Sequence, residues 1–239
     1  MSLINGRDYV YLVWKEPKTR RQYVVGQLSK NGKYEFSYGF EVEAAIKAGF
    51  NRLIPFENTG IVYESELLFP VFSSRLPDKK RKGIEDILAK YDLQEYDEFL
   101  LLKRSGAQLP IDNLKFIDPL PDEDFGYILR IFDLAGVRHY LGCEGNECGN
   151  SIDLEPEDEL LLEKENDNQF DSNAMKVITR RGVLVGYIPR YYNKELRELL
   201  EKGFQYVCRV NTFHKDNYCE ECIKVKLELS KAKKEQQLA

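Results

Sequence analysis

Residues 117–125 read IDPLPDEDF. Two prolines here fix φ and remove two amide donors, and no apolar period runs through the segment, so neither a helix nor a central strand can cross it. The break divides 239 residues into two stretches, each of a size to form one small domain. The reading is a first domain at 1–118, a linker at 119–125, a second domain at 126–230 and a disordered tail at 231–239, KAKKEQQLA.

The first stretch opens on YVYLVW at 9–14, an apolar and aromatic run of strand length. Residues 23–28 lead to Asn31-Gly32, a strong turn pair, and then Tyr34, Phe36 and Tyr38 alternate, so a hairpin with one aromatic face is expected. Ile84, Ile87, Leu88 and Tyr91 recur at helical spacing behind Asp78, predicting a helix over 79–91. Residues 98–104 fit a helix end or a strand.

In the second stretch, 127–134, 137–141, 160–165, 174–179, 183–187, 204–213 and 223–229 read as strands. A short amphipathic helix is expected at 193–202, with Leu196, Leu199 and Leu200 inward and Gly203 as its stop. Many short strands with one helix suggest a small closed or partly closed barrel. The fold class is therefore α+β, in two small domains.

Apolar residues make up 43% of the chain and charged ones 31%, enough for a core and against disorder over most of the length. No apolar run approaches the roughly 20 residues that span a bilayer. Nothing near the N-terminus has the layout of a secretion signal, so a cytoplasmic protein without membrane contact is expected. Residues 1–120 carry a net charge of +1 and the remainder −6, with eight carboxylates against Lys164 alone between Asp153 and Asp167. Nucleic-acid binding would therefore need a local basic patch rather than the overall field.

The most informative segment is ENDNQFDSNAMKVITRRGVLVGYIPR, 165–190. Asn168, Asp171 and Asn173 cluster just before an apolar strand, and a glycine turn and second strand lead to GYIP and Arg190. With VRHYLG at 137–142, this resembles the HIRAN domain over about 126–230, a family found alone in bacteria and at the N-terminus of some eukaryotic helicase-like DNA-repair ATPases. The resemblance implies a small β-barrel of the OB or SH3-like kind that binds single-stranded DNA and captures a 3′-hydroxyl end. It further implies phosphate contacts from Arg138 and Arg190, stacking by His139 and Phe170, an end-binding loop at Asn168, Phe170 and Asp171, and acceptance of the terminal hydroxyl by Asp171. His139 and Phe170 stand where tyrosine is usual, and Gln169 where proline is usual. Tyr218, in the loop before the last strand, is a further stacking candidate.

Each of these residues also has a structural reading. Asp171, like Asn173, can cap a turn through side-chain-to-backbone hydrogen bonds. Phe170 can pack its loop, and Arg138 and Arg190 can be ordinary ion-paired surface residues.

In the first stretch, YVYLVW, Gly26-Gln27-Leu28, Phe36-Ser37-Tyr38 and LFPVFSSRLP at 68–77 resemble the N-terminal subdomain of HipA toxin kinases over about 8–115. In those relatives the subdomain contacts partner proteins, which implies a protein partner for this half. His214-Lys215-Asp216 imitates the start of a kinase catalytic loop, but Glu221 stands where an asparagine would hold magnesium, and no Walker glycine loop occurs. The basic run at 79–82 is a phosphate patch or a solvated helix start.

Cys219 and Cys222 have the spacing of two zinc ligands, and Cys143 and Cys148 make a second pair, so a structural zinc is one reading and plain thiols the other. No cofactor is otherwise implied, and with two histidines and no nucleophile motif the chain reads as a non-enzyme. DNA, single-stranded or with exposed ends, is the expected partner. The alternative is a protein-interaction adaptor in which the first domain docks a partner and the barrel is scaffold, a reading the acidic net charge favours.

Overall fold

The structure, a computed structural model, describes residues 3–4, 7–110, 112–121, 126–141, 143–144, 147–148, 152–213 and 222–231. The chain folds into two compact units, Met1–Leu120 and Pro121–Ala239. Both mix helix with antiparallel sheet. No described helix is long and apolar enough to cross a membrane. Residues 122–125 of the expected linker and 232–239 of the expected tail lie outside the described residues.

The first unit runs β1 (Leu3–Ile4), β2 (Arg7–Lys15), β3 (Gln22–Asn31), β4 (Lys33–Tyr38), α1 (Val42–Lys47), β5 (Val62–Ser65), α2 (Pro70–Ser73), α3 (Ile84–Lys90), α4 (Glu98–Ser105) and β6 (Leu114–Ile117). Its sheet has the order β1-β2-β3-β4-β5, with β6 also on β2. The β3–β4 hairpin turns at Gly32, whose φ of +78° is the left-handed conformation that glycine adopts without a Cβ penalty. Tyr34 and Phe36 point into the core, where Phe36 stacks on Phe56 at 4.4 Å and meets Phe72 at 5.2 Å. Lys103 of α4 is buried and paired with Asp8 of β2 and Asp118. The helix expected from residue 79 begins only at Ile84, because Gly83 turns left-handed just before it (φ +79°). The basic run at 79–82 is thus an exposed turn rather than a helix start. Residues 98–104, open between helix and strand, are helical, and Asp97 caps them by accepting from the Leu100 amide at 2.9 Å.

The second unit runs β7 (Tyr127–Asp133), α5 (Val137–Tyr140), β8 (Cys143–Glu144), β9 (Glu147–Cys148), β10 (Glu159–Lys164), β11 (Met175–Thr179), β12 (Leu184–Tyr187), α6 (Arg190–Glu201), β13 (Phe204–Phe213) and β14 (Ile223–Lys231). Six strands form one antiparallel sheet in the order β12-β11-β10-β13-β14-β7, and β8 pairs β9 separately. Alternation sets the core: Ile223, Val225, Leu227 and Leu229 of β14 are all fully buried. Helix α6 turns Tyr191, Tyr192, Leu196 and Leu199 inward. The two ends of the strand order meet just past β7, where Ala135 and Tyr187 exchange backbone hydrogen bonds of 2.8 and 2.9 Å. One bridge therefore curls the sheet into a partly closed barrel.

Residues 137–141, expected as a strand, form the single helical turn α5. Gly136 turns the chain left-handed (φ +72°) after β7, and the Leu141 amide donates to the Val137 carbonyl at 3.0 Å. Val137 and Leu141 are both buried at a spacing of four, the period of a helix, and His139 between them is exposed where a strand would have turned it inward.

Candidate nucleic-acid interface

The loop between β10 and β11 is built by its own polar side chains. Asn168 Oδ1 accepts from the backbone amides of Phe170 and Asp171 at 2.9 and 3.0 Å, an Asx-type turn. Asn168 Nδ2 donates to Glu165 Oε2 at 2.6 Å. Asp171 Oδ1 accepts from the Asn173 amide at 2.9 Å, so the carboxylate does cap a turn. Its other oxygen, Oδ2, accepts from Asn193 Nδ2 at 2.7 Å. With the backbone held on both sides, Phe170 projects outward and is 75% exposed. It does not pack its loop into the core.

Helix α6 grips this loop. Arg190, Asn193 and Arg197 fall three and four residues apart, so they share one side of the helix. Arg197 donates to the Ser172 carbonyl at 3.0 Å and to Asn166 Oδ1 at 2.8 Å. Arg190 opens the helix on the same side, behind Pro189. The expected helix start at 193 thus moves one turn back: proline without an amide suits a helix boundary, and Tyr191 and Tyr192 are buried.

A second polar cluster joins the loop to α5. Glu165 Oε2 also accepts from the Tyr187 hydroxyl at 2.9 Å, and Oε1 lies 2.8 Å from Lys176 Nζ. The Asn168 amide, the Lys176 ammonium and the Tyr187 hydroxyl together hold the Glu165 carboxyl down at about 2. Burial, followed by its bonds to Tyr140 and Glu165, pushes the Tyr187 hydroxyl up. Tyr140, the last residue of α5, donates to that hydroxyl at 3.4 Å, and the two rings lie 5.5 Å apart. A chain of contacts thus runs from α5 through Tyr187 and Glu165 to Asn168. Arg138 and His139 sit on the exposed side of α5, immediately before Tyr140.

Arg180, on the β11–β12 turn, pairs with Glu159, and both line a cleft of about 500 Å³ together with Arg181, Tyr140, Asp153 and Asp158. Carboxylates of the acidic stretch face the arginines of this turn. Tyr218, His214 and Cys219 lie outside the described residues. The backbones of Cys143 and Cys148 stand opposite each other in the β8–β9 ladder, and Cys222 is buried at the start of β14. Among the described residues no three His, Cys, Asp or Glu side chains converge on a metal position.

The model of the HIRAN domain family matches residues 130–230. That segment is a HIRAN domain. It takes in α5, the Asn168 loop, the Tyr187 cluster and α6. Three solved structures are similar in part. The crystal structure of the HIRAN domain of human HLTF is 20% identical, covers 44% of this chain and 77% of its own, and has a TM-score of 0.29. A crystal structure of a protein from Lactobacillus plantarum is 22% identical over 45% of this chain and 100% of its own, with a TM-score of 0.32. The NMR structure of the HLTF HIRAN domain in its DNA-bound conformation is 20% identical over 44% and 74%, with a TM-score of 0.30. A search of curated proteins finds no match.

Sequence reasoning passed over Glu165, Lys176, Tyr187 and Asn193 within the HIRAN domain. Tyr187 stands inside the quoted GYIP motif, and its hydroxyl marks it as a tyrosine seeking a partner when partly buried. Asn193 carries a usable signal: it is a polar residue three positions before Leu196, on the apolar side of an amphipathic helix. For Glu165, adjacent to many other acids, no pattern distinguishes it.

Proposed function

We propose that the HIRAN domain of this chain binds DNA, with preference for single strands or exposed 3′ ends, and that the chain performs no catalysis. The observation that carries this reading is Phe170, an aromatic side chain 75% exposed on a loop whose backbone Asn168 and Asp171 tie down. An exposed ring on a braced loop serves as a stacking platform for a base, because every base offers a π face. The family match over residues 130–230 supports the DNA-binding part of this reading.

In this reading the terminal base stacks on Phe170. Asp171 accepts the terminal hydroxyl: each of its oxygens already takes one bond, and a carboxylate has room for about four. Arg190 and Arg138 contact backbone phosphate, and His139 and Tyr218 offer further stacking. Asn168 and Asn193 orient the loop rather than touch DNA. The acidic cleft beside Arg180 marks a side that the strand avoids.

The test is an anisotropy titration with three labelled oligonucleotides: single-stranded, blunt duplex, and single-stranded with a blocked 3′-hydroxyl. Tight binding to the first, lost on blocking, supports end recognition. Equal binding to all three reduces the reading to electrostatic attachment, and no binding at low salt removes it.

A second reading concerns the first unit, for which we propose a protein partner. Phe40, Ile54 and Leu67 there are 76, 87 and 77% exposed, large apolar side chains open to a partner's surface. This suits the HipA-like role in which the first half docks another protein and the barrel serves as scaffold. Recovery of one defined protein by residues 1–120, lost when Phe40 and Leu67 become serine, would favour it.

A further inference from the structure

Strand β7 ends the strand order of the second unit, and among the described residues no other strand lies on its outer edge before the bridge at Ala135. Its alternate side chains Tyr127, Leu129 and Ile131 share one face and are 57, 38 and 51% exposed. Edge strands of soluble domains are usually blunted by charged side chains, proline, bulges or shortness. This one is seven residues long, contains no proline or glycine, and keeps its two charges, Arg130 and Asp133, outside the apolar row Tyr127, Leu129, Ile131.

The row is complementary to itself. Laid antiparallel about Leu129, a second β7 places Tyr127 opposite Ile131 and Leu129 opposite Leu129, an apolar pairing along the whole exposed face. On the other face Ile128 meets Arg130, so no like charges oppose. Centring the pair on Arg130 instead sets two guanidinium groups against each other. Centring it on Ile131 sets Leu129 against the Asp133 carboxylate. A register centred on Ile128 also avoids like charges but leaves Ile131 outside the Tyr127–Leu129 pairs, so the Leu129 register is the one that covers the whole row Tyr127, Leu129, Ile131.

The neighbouring strand supports the same arrangement. β14 places Ser230, Glu228 and Lys226 beside Tyr127, Leu129 and Ile131. The Tyr127 hydroxyl donates to Glu228 at 2.9 Å, and Lys226 lies 3.0 Å from the same carboxylate, so these charges are satisfied within one copy. Across a β14-β7-β7-β14 sheet the two Glu228 side chains stand three strand spacings apart, about 14 Å. That exceeds the screening length of about 8 Å at physiological salt.

We propose that the HIRAN unit forms a two-fold dimer by antiparallel pairing of β7 with β7 of a second copy, centred on Leu129. The pairing extends the six-stranded sheet into one of twelve strands and covers Tyr127, Leu129 and Ile131. It is isologous and closes on itself, so it yields a dimer and not a filament. It goes beyond DNA binding and does not depend on it.

Sedimentation of the full chain over a hundredfold range of concentration tests the proposal. The parent chain is expected to pass from monomer to dimer. Leu129→Lys, which places two ammonium groups on the two-fold, should raise the dissociation constant at least about tenfold with the melting temperature retained. Residues opposite each other in an antiparallel pair have Cβ atoms about 4.5–5.5 Å apart, near disulfide range. Mild oxidation should therefore link Leu129→Cys to itself at position 129, as located by peptide mass spectrometry. Leu161→Cys, exposed on β10 inside the same sheet, should not link. A parent chain monomeric throughout overturns the proposal, including the case in which a foreign strand occupies this edge. So does a dimer that Leu129→Lys leaves unchanged.

Discussion

Asn193, 3% exposed within α6, donates its side-chain amide to Asp171 Oδ2 at 2.7 Å. The bond crosses from helix to loop, and the carboxylate it holds also caps the turn at Asn173. Asn193 Oδ1 is buried without a hydrogen-bond partner among the described residues. Keeping an amide in the apolar side of a helix at that cost is reasonable only if the bond to Asp171 offsets it. The loop is therefore positioned by the helix, and the exposed ring beside Asp171 inherits that order.

Phe170→Ala should separate binding from folding. At 75% exposure the ring contributes little to the core, so the melting temperature should stay within experimental error. The affinity for single-stranded DNA should fall by about 1–3 kcal/mol, roughly 5- to 150-fold, the value of one base–aromatic contact. Phe170→Trp should restore it. A variant that loses stability but binds normally would show that the ring serves the fold.

Glu165 titrates in an unusual place. Its folded carboxyl sits at about 2, below the ordinary 4.5, so the stabilisation from its three partners is complete above pH 4.5 and lost as the pH falls from there towards 2. Carbon-detected NMR of the side-chain carboxyl should show a midpoint well below 4. Tyr187→Phe, which removes one donor, should move that midpoint upward. A midpoint at 4 or above in the parent chain would mean that the Asn168–Glu165–Tyr187 cluster is not formed in solution.

Gly186→Ala should open the barrel. A Cβ there would meet the Ala135 carbonyl at 2.9 Å and the side chains of Leu134 and Val137 at 3.2 Å. Backbone on one side and buried side chains on the other leave no room to yield, so overpacking should cost about 1–3 kcal/mol by denaturant titration. Gly182→Ala is the contrast: nothing lies within 4 Å, and only its φ of +80° is strained, about 1–2 kcal/mol. If the two variants cost the same with unchanged Ala135 and Tyr187 amide protection, the bridge does not constrain this position.

Much of the architecture was readable from period two and from glycine. β13 spans the residues 204–213 of an apolar run, and the β3–β4 hairpin turns at the Asn31-Gly32 pair. Short elements escaped because they lack a period. α5 was misread since four residues show one apolar spacing, and the choice between helix and strand rested on whether His139 faced in or out. β5 and β6, four residues each, take their places from β4 and β2 and not from their own sequence. In the site, Asn168, Asp171 and Asn173 stood out as a cluster, and side-chain-to-backbone hydrogen bonds tie the three into one loop, whereas Phe170 entered only through the family resemblance. The connections through Tyr187 and Asn193 did not stand out, because the Tyr187–Glu165 and Asn193–Asp171 bonds each join residues 22 apart in the chain. Such pairings are set by the strand order and helix placement, which no local pattern records.

The pairing of β7 with β14 fixes when the second unit can be made. Among the described residues its opening strand, Tyr127–Asp133, finds its ladder partner in Ile223–Lys231, near the other end of the segment. On a ribosome adding about 5–20 residues per second, β7 waits about 5–20 seconds for the strand that pairs its inner edge. During that interval the nascent chain offers a sticky edge to whatever is near, including the β7 of a neighbouring chain on the same messenger.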